Sequence, residues 1–120
     1  MRVAGASILA AVLVAVLSTG CESGMAPEDC TGTCIVVENR SASHQTIEFV
    51  NFSSCSDPSW GSDRLNGSLD FGEQRAWSVE PGCWDIRAGW ESGGTTCSSS
   101  ASDVDITSGQ TYVLTFNGCP

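Results

Sequence analysis

The segment "CWDIRAGW", which spans Cys83–Trp90, is the clearest indication of the fold class in this sequence. Apolar side chains occupy every second position of the segment, and the charged residues Asp85 and Arg87 stand between them. In an extended strand, alternate side chains point to opposite faces of the sheet. The segment therefore predicts a β-strand that buries one face and exposes the other to water.

Short segments rich in β-branched and aromatic residues lie on both sides of this strand, separated by Gly, Ser, Asp and Pro. Six segments predict strands, and "TTCSSSA" predicts a seventh. The six are "CIVVEN", "TIEFVNF", "QRAWSVE", "CWDIRAGW", "SDVDITSG" and "TYVLTFNG". Neither helical periodicity nor an internal repeat accompanies them. Strands at this spacing predict an all-β fold, a small antiparallel β-sandwich of six to seven strands stapled by disulfides.

The four residues "ESGG", Glu91–Gly94, are predicted to close a hairpin between the quoted strand and the next one. A four-residue loop would place Ala88 opposite Cys97, and Cys83 near Ser102. Cys83 and Cys97 would then be about five residues apart along the ladder, roughly 17 Å at ~3.4 Å per residue. Because disulfide-bonded Cα atoms lie within about 7 Å of each other, we expect no bond between Cys83 and Cys97.

The first twenty residues, "MRVAGASILAAVLVAVLSTG", have the order of a secretory signal peptide. Arg2 precedes an uncharged apolar run, Val3–Leu17, and small residues follow. The run is shorter than the ~20 apolar residues that a transmembrane helix needs. We therefore predict that residues 1–20 direct export and are then removed.

The predicted signal ends in Gly20-Cys21, and Leu17 to Cys21 resembles the lipobox of bacterial lipoproteins, although Ser18 stands where leucine is commonest. The resemblance implies that Cys21 carries lipid, and it places the protein in the bacterial cell envelope, in the periplasm or on the outer surface. The alternative is an ordinary signal peptide and a Cys21 that joins a disulfide. The expected organisation is a signal peptide at 1–20, a lipidated N-terminus and flexible tether at 21–33, and the β-sandwich domain at 34–120.

The cysteine count supports the lipobox, because the chain has seven cysteines and one of them must remain without an intrachain partner. Setting Cys21 aside leaves an even set: Cys30, Cys34, Cys55, Cys83, Cys97 and Cys119. In an exported protein this set predicts three disulfides. No C-x2-C pair typical of zinc sites is present, so no metal is expected. We expect Cys83 to pair with Cys55 or another loop cysteine, and Cys30 or Cys34 to pair with Cys97 or Cys119.

The chain is strongly acidic, with 14 Asp and Glu against five arginines and no lysine. Removal of Arg2 with the signal would leave four arginines against 14 acids, a net charge of −10. Nucleic-acid binding and polybasic membrane binding both need clustered cations, and they are excluded. We therefore expect the protein to be attached to a membrane by the lipid on Cys21 rather than by its charge. The acidity favours solubility, and we expect a monomer without a cofactor.

Three motifs resemble those of a family of small exported bacterial proteins, many of them lipoproteins, which have no assigned activity. The motifs are a Trp-Gly followed by Leu, a Leu-x-x-Gly-Glu turn, and a Pro-Gly-x-aromatic-Asp-hydrophobic-Arg-Ala strand. The matching residues are Trp60, Gly61, Leu65, Leu69, Gly72, Glu73, Pro81, Gly82, Trp84, Asp85, Ile86, Arg87 and Ala88. The match spans Val36 to Ala88 and implies a β-sandwich module, without an activity to carry over.

No residue pattern predicts catalysis or a calcium site. A Ser-His-Asp triad needs a histidine held by an acid, and His44 lies in the polar connection "RSASHQT". There is no Gly-x-Ser-x-Gly elbow, and no pair among the acids stands out for glycoside hydrolysis. The acidic segments "SDVD" and "SDRLNGSLD" lack the spacing of an EF-hand loop. We therefore predict a protein that is not an enzyme.

Trp60 is the one tryptophan outside a predicted strand, in a long polar loop between Cys55 and Leu65. It would either cap an open end of the sandwich, the role we favour, or offer a stacking surface to a sugar or peptide. Two functions follow. The first is a binding or structural module that presents loops or an edge strand to a protein or glycan of the envelope. The alternative is a small carbohydrate-binding module or hydrolase that uses Trp60 and nearby acids.

Overall fold

A computed structural model describes residues 24–120, and these residues form six strands and one turn of 3-10 helix, Pro27–Asp29. The strands are β1 (Cys34–Asn39), β2 (Phe49–Ser54), β3 (Gln74–Ser78), β4 (Gly82–Ser92), β5 (Thr95–Ile106) and β6 (Thr111–Phe116). The predicted all-β class is confirmed. The predicted signal peptide and Cys21 lie outside the described residues. Within residues 24–120, no helix has the length and apolar character needed to cross a bilayer.

The six strands form two sheets of three. The first sheet has the order β3-β1-β6 and the second has the order β2-β4-β5. Three of the four strand pairs are antiparallel, as the sequence predicts, whereas β1 and β6 run parallel. A parallel pair needs a long crossover connection. Here the chain between β1 and β6 provides the crossover, because it builds the whole second sheet and β3 on the way.

The inward side chains of both sheets form one hydrophobic core. Phe52 lies at its centre, and its ring meets the rings of Trp77 and Trp84 edge-on, with centroids 5.8 and 5.9 Å away. The alternation predicted for β4 is confirmed, since its apolar positions face this core. The core residues contributed by the strands are Ile35, Val37, Val50, Phe52, Trp77, Ile86, Ala88, Cys97, Ile106, Leu114 and Phe116.

β5 unites the two segments "TTCSSSA" and "SDVDITSG" in one long strand. A β-bulge makes this possible, because Trp84 faces Val104 whereas Ile86 faces Ala101. One residue of β4, Asp85, therefore lies opposite two residues of β5. Asp103 takes a left-handed backbone conformation there, with φ of 55°, and its N–H donates to Asp85 Oδ1 at 2.9 Å. The bulge bends the strand without ending it.

The hairpin between β4 and β5 has a two-residue turn, and the predicted four-residue loop is wrong. Gly93 and Gly94 both have positive φ, 56° and 83°, which a type I′ turn requires and which glycine adopts without strain. Ser92 therefore pairs with Thr95, so the ladder is two residues longer than predicted. Ala88 lies opposite Ser99 rather than Cys97.

The disulfides are Cys30–Cys34, Cys55–Cys83 and Cys97–Cys119. The predicted absence of a Cys83–Cys97 bond and the predicted partner Cys55 are confirmed. The expectation that Cys30 or Cys34 would reach Cys97 or Cys119 is wrong. In the parallel pair, Cys34 lies beside Thr111 at the start of β6, whereas Cys119 follows the far end of that strand. Cys34 instead pairs with Cys30, four residues earlier in the sequence.

Part of the segment that the sequence assigns to a tether lies against the first sheet. Met25 and Ala76 exchange two backbone hydrogen bonds, of 2.8 and 2.7 Å, along the outer edge of β3. The 3-10 turn and the Cys30–Cys34 disulfide then lead directly into β1. The folded unit thus includes residues from Met25 onward.

The outer edge of β2 is covered by the long connection that leads to β3. The Arg64 N–H donates to Val50 O at 2.7 Å, and the Val50 N–H donates to Asp63 Oδ1 at 3.0 Å. Ile47 and Leu69 form a further backbone bridge. Covering an edge in this way satisfies its unpaired backbone groups and blocks pairing with another chain.

Candidate functional site

The candidate site lies on the outer face of the second sheet, where β2 and β4 place polar side chains side by side. Ser53 is directly opposite Asp85, and Asn51 is directly opposite Arg87. These four side chains point away from the core because they alternate with the buried positions of both strands. The structure therefore brings the predicted solvent-facing residues of β4 next to a matching polar row on β2.

A loop passes over this polar row and is attached to it by side chains. The Ser53 hydroxyl donates to Ser59 O at 2.8 Å, and Asn51 Nδ2 donates to Gly61 O at 3.4 Å. Ser53 and Asn51 are each only 6% exposed as a result. The two bonds fix the backbone on either side of Trp60, which stands between the two accepting residues.

The Cys55–Cys83 disulfide and the backbone conformation of Gly61 support the same placement of the loop. The Cys55–Cys83 disulfide ties the start of the loop to β4, and the Cys55 N–H donates to Cys83 O at 3.1 Å. Directly after Trp60, Gly61 has a φ of 79°, a conformation that side-chain-bearing residues adopt with strain. The loop thus follows a path that its sequence specifies at both ends.

Arg87, which lies on β4, makes a cation–π contact with the Trp60 ring. Its guanidinium lies 5.0 Å from the ring centroid of Trp60 and 5.0 Å from that of Phe49. Arg87 Nε also donates to Asn51 Oδ1 at 3.0 Å. Cation–π contacts of this kind contribute about 0.5–1 kcal/mol each at exposed sites. Trp60 is therefore held in place by contacts within the protein.

An open cleft of about 210 Å³ lies beside the Trp60 ring. We call it the Trp60 cleft, and its lining residues are Ser53, Asp57, Pro58, Ser59, Trp60 and Asp85. Asp57 Oδ1 accepts hydrogen bonds from the N–H and the hydroxyl of Ser59. Asp85 Oδ1 accepts the Asp103 N–H at the bulge. Within the described residues, the second oxygen of each carboxylate makes no hydrogen bond, so each can accept one from a ligand.

Comparisons of the chain with protein-family models, with curated proteins and with solved structures find no match. The assignment of the site therefore depends on its own geometry.

Trp60 does not take the capping role that the sequence favours. The apolar residues of the loop that enter the core are Leu65 and Leu69, which are 2% and 0% exposed. Trp60 is only partly buried and lies outside the core cluster, on the outer face of the sheet. Because the leucines already fill the space at the edge of the core, the indole is left for the surface.

His44 belongs to a different surface, at the loops that follow β1 and precede β3. Its ring stacks on Phe71 with centroids 4.0 Å apart and an interplanar angle of 22°, and Phe71 is 45% exposed. Within residues 24–120, no acid forms a hydrogen bond or an ion pair with the imidazole. A triad histidine is instead held by a carboxylate next to a nucleophile.

Glu38 has a displaced pKa, and it lies on the first sheet, away from the Trp60 cleft. The Thr115 hydroxyl donates to its carboxylate at 2.9 Å, and this bond, together with Arg40, lowers the pKa of Glu38. A general acid needs a raised pKa near the working pH. The environment of Glu38 instead lowers its pKa, which does not suit a general acid.

One trio of potential metal-binding side chains occurs among the described residues, namely Cys55, Cys83 and Asp103. The two cysteines are bonded to each other, so neither can supply the thiolate that a metal ion binds. The acidic segments "SDVD" and "SDRLNGSLD" also have structural roles, since Asp103 lies in the bulge and Asp63 binds the edge of β2.

Trp60 is the only site residue that we could single out from the sequence. The sequence predicts Asp85 and Arg87 as solvent-facing residues of an alternating strand, and it assigns no binding role to Asn51 or Ser53. One signal was available, because a tryptophan within five residues of a cysteine in a polar loop can be held over the sheet by a disulfide. The partner strand of β4 could not be identified without the register.

Proposed function

We propose that this chain is a non-enzymatic binding module of the bacterial cell envelope, anchored through lipid on Cys21. Its binding face would be the Trp60 cleft and the adjoining rings of Trp60 and Phe49. Binding modules gain affinity when their contact groups are rigid before the partner arrives, since less conformational entropy is lost. The disulfide, the two side-chain bonds and the Arg87 stack supply that rigidity at Trp60.

Three observations support the envelope and the anchor. The first twenty residues have the pattern of an export signal, and Leu17 to Cys21 resembles a lipobox. The other six cysteines form three disulfides, and stable disulfides are typical of exported proteins. Cys21 is then left for lipid, and the resemblance to small exported bacterial proteins is consistent with this arrangement.

Two of the four sheet edges already pair with other backbone: residues 63–69 lie along the edge of β2, and Met25 pairs with Ala76 of β3. This favours recognition through a face over strand addition at those edges. Aromatic rings with a polar surround are the usual anchors of such faces. We therefore assign recognition to the outer face of the second sheet.

Co-sedimentation with isolated bacterial envelopes tests the proposal. The probe is the chain from Glu22 onward, exported behind an ordinary signal peptide, because it contains every element of the fold. We expect it to pellet with envelopes in a saturable manner, and we expect Trp60→Ala to reduce the bound fraction at least tenfold. Circular dichroism and thermal melting establish that each variant is folded.

Phe71→Ala is the matched control, since Phe71 is an exposed aromatic residue on a different surface. It should bind envelopes like the parent chain. Absence of saturable binding by the parent would contradict the proposed function. Equal losses in Trp60→Ala and Phe71→Ala would contradict the assigned face.

A further inference from the structure

We propose that the Trp60 cleft binds an uncharged, hydroxyl-rich ligand, namely one residue of a neutral saccharide. This inference rests on the proposed function and adds the chemical class of the ligand. The cleft, at about 210 Å³, lies below the ~300–1,000 Å³ of pockets for drug-sized molecules. A single small polar unit suits this volume.

The charges around the cleft argue against an anionic ligand. Asp57 and Asp85 both line the cleft, whereas no arginine lines it, and the chain has no lysine. An anion entering the cleft would meet two carboxylates at short range, and like charges in a partly buried site repel strongly.

A cationic ligand would meet a different obstacle. Its best position would be over the Trp60 ring, next to the two acids, but the Arg87 guanidinium already stacks on that ring at 5.0 Å. The charge of each acid is also partly satisfied, by the Ser59 and Asp103 donors. A second cation near the ring would therefore be repelled by the positive charge of Arg87, which a neutral ligand would not be.

The hydrogen-bonding groups of the cleft match hydroxyls. One free oxygen on Asp57 and one on Asp85 can each accept a hydrogen bond, and bonds to an ionised acceptor are about twice as strong as neutral ones. The Ser53 and Ser59 hydroxyls donate within the protein, which leaves their lone pairs as further acceptors. A wall rich in acceptors needs a ligand rich in O–H donors.

The Trp60 ring supplies the remaining requirement of a sugar site, an apolar surface beside polar groups. Saccharide rings carry C–H groups on their faces and hydroxyls at their edges. The indole provides a large, rigid, apolar contact, and Arg87 acts as a positioning residue by holding it. Asp85 lies two residues from Arg87 on the same face of β4. The carboxylate of Asp85 and the guanidinium that contacts the Trp60 ring are therefore both carried by β4.

Titration with small saccharides, followed by amide chemical-shift changes in two-dimensional NMR spectra, tests this inference. The neutral probes are glucose, galactose, N-acetylglucosamine and their β-linked tetramers. The charged probes are glucuronate and glucosamine. We expect at least one neutral series to shift the amides of residues 53–61 and 85–87, with affinity at least tenfold greater than for either charged sugar.

Three variants locate the ligand. Trp60→Ala should lose binding. Asp85→Asn retains an oxygen for the Asp103 N–H and should weaken neutral-sugar binding about tenfold, because the charged acceptor is lost. Arg87→Met should weaken binding several-fold while the Asp85 amide still responds to saturating sugar. Phe71→Ala should bind like the parent.

Several outcomes would overturn the inference. These are the absence of binding to every neutral probe at millimolar concentration, equal binding of charged and neutral sugars, and shifts confined to residues outside the cleft. If envelopes are still bound while no saccharide is, the ligand class is wrong and the proposed binding function stands. If neither is bound, both are wrong.

Discussion

Asn39 shows how one buried polar residue organises an end of the molecule. It is fully buried, and its Nδ2 donates to Gln45 O at 2.7 Å and to Leu69 O at 2.9 Å. Its Oδ1 accepts from the N–H and the hydroxyl of Ser41. All the hydrogen-bonding capacity of the side chain is therefore used within the protein. Asn39 joins the loop after β1 to the connection that covers β2.

Replacing Asn39 with alanine should lower the free energy of unfolding by about 3 kcal/mol or more. The N–H of the buried Ser41 would lose its acceptor, and an unsatisfied buried group costs ~1–3 kcal/mol. The carbonyls of Gln45 and Leu69 would each lose one of two donors, at about 1 kcal/mol per lost hydrogen bond. Chemical denaturation of the parent and the variant measures the loss. Asn66→Ala is the control, since Asn66 is exposed, and it should change the stability by less than about 0.5 kcal/mol. Equal effects of the two substitutions would refute the role given to Asn39.

At the scale of elements, the pairing of β4 with β5 depends on close backbone approach at Gly89. A Cβ at this position would lie 1.9 Å from Cys97 O and 2.7 Å from Ser98 Cα. Backbone atoms cannot move aside without disturbing the ladder, and Cys97 is additionally bonded to Cys119. Glycine is thus required here for space rather than for a special φ.

Gly89→Ala should destabilise the protein by roughly 1–3 kcal/mol, the usual cost of forcing an extra group into packed structure. The paired measurement is Ser98→Ala, on the exposed residue of β5 that faces Gly89, which should be close to neutral. Thermal melting of both variants is sufficient. A Gly89→Ala protein as stable as the parent would show that the two strands lie further apart than described.

The elements themselves could largely be predicted from the sequence, because the alternation of buried and exposed side chains is a local pattern. The strand β4 is an example, with Ile86 and Ala88 inward and Arg87 outward. Features that depend on one backbone angle could not be predicted. The Gly93-Gly94 turn changes the register by two residues, and the bulge at Asp103 joins two expected strands into one.

The candidate site could be predicted only in part, for a related reason. Trp60 is conspicuous by type, but its partners come from two strands whose pairing the local pattern does not specify. Ser53 meets Asp85, and Asn51 meets Arg87, only after the register of β2 and β4 is set. The position of Trp60 in the loop is then fixed by hydrogen bonds from Ser53 and Asn51 to backbone carbonyls of the loop. Such bonds produce no periodic pattern in the sequence.

At the scale of the whole molecule, the three disulfides fasten the parts that strand pairing leaves open. Cys30–Cys34 closes the N-terminal turn, Cys55–Cys83 attaches the long loop, and Cys97–Cys119 attaches the C-terminal tail. The latter two span 28 and 22 residues, and closing loops of such length typically stabilises a protein by 2–4 kcal/mol. A small sandwich with a modest core benefits from this support.

The proposal that this sandwich is exported, lipid-anchored and rigid is tested most directly by the state of its seven cysteines. The measurement is non-reducing peptide mapping by mass spectrometry on protein extracted from bacterial membranes with detergent. It should find an N-terminal peptide that begins at Cys21, carries acyl chains and has no disulfide partner. It should also find the three crosslinks Cys30–Cys34, Cys55–Cys83 and Cys97–Cys119. A disulfide that includes Cys21, a Cys83–Cys97 crosslink, or free thiols at the six paired positions would contradict the account.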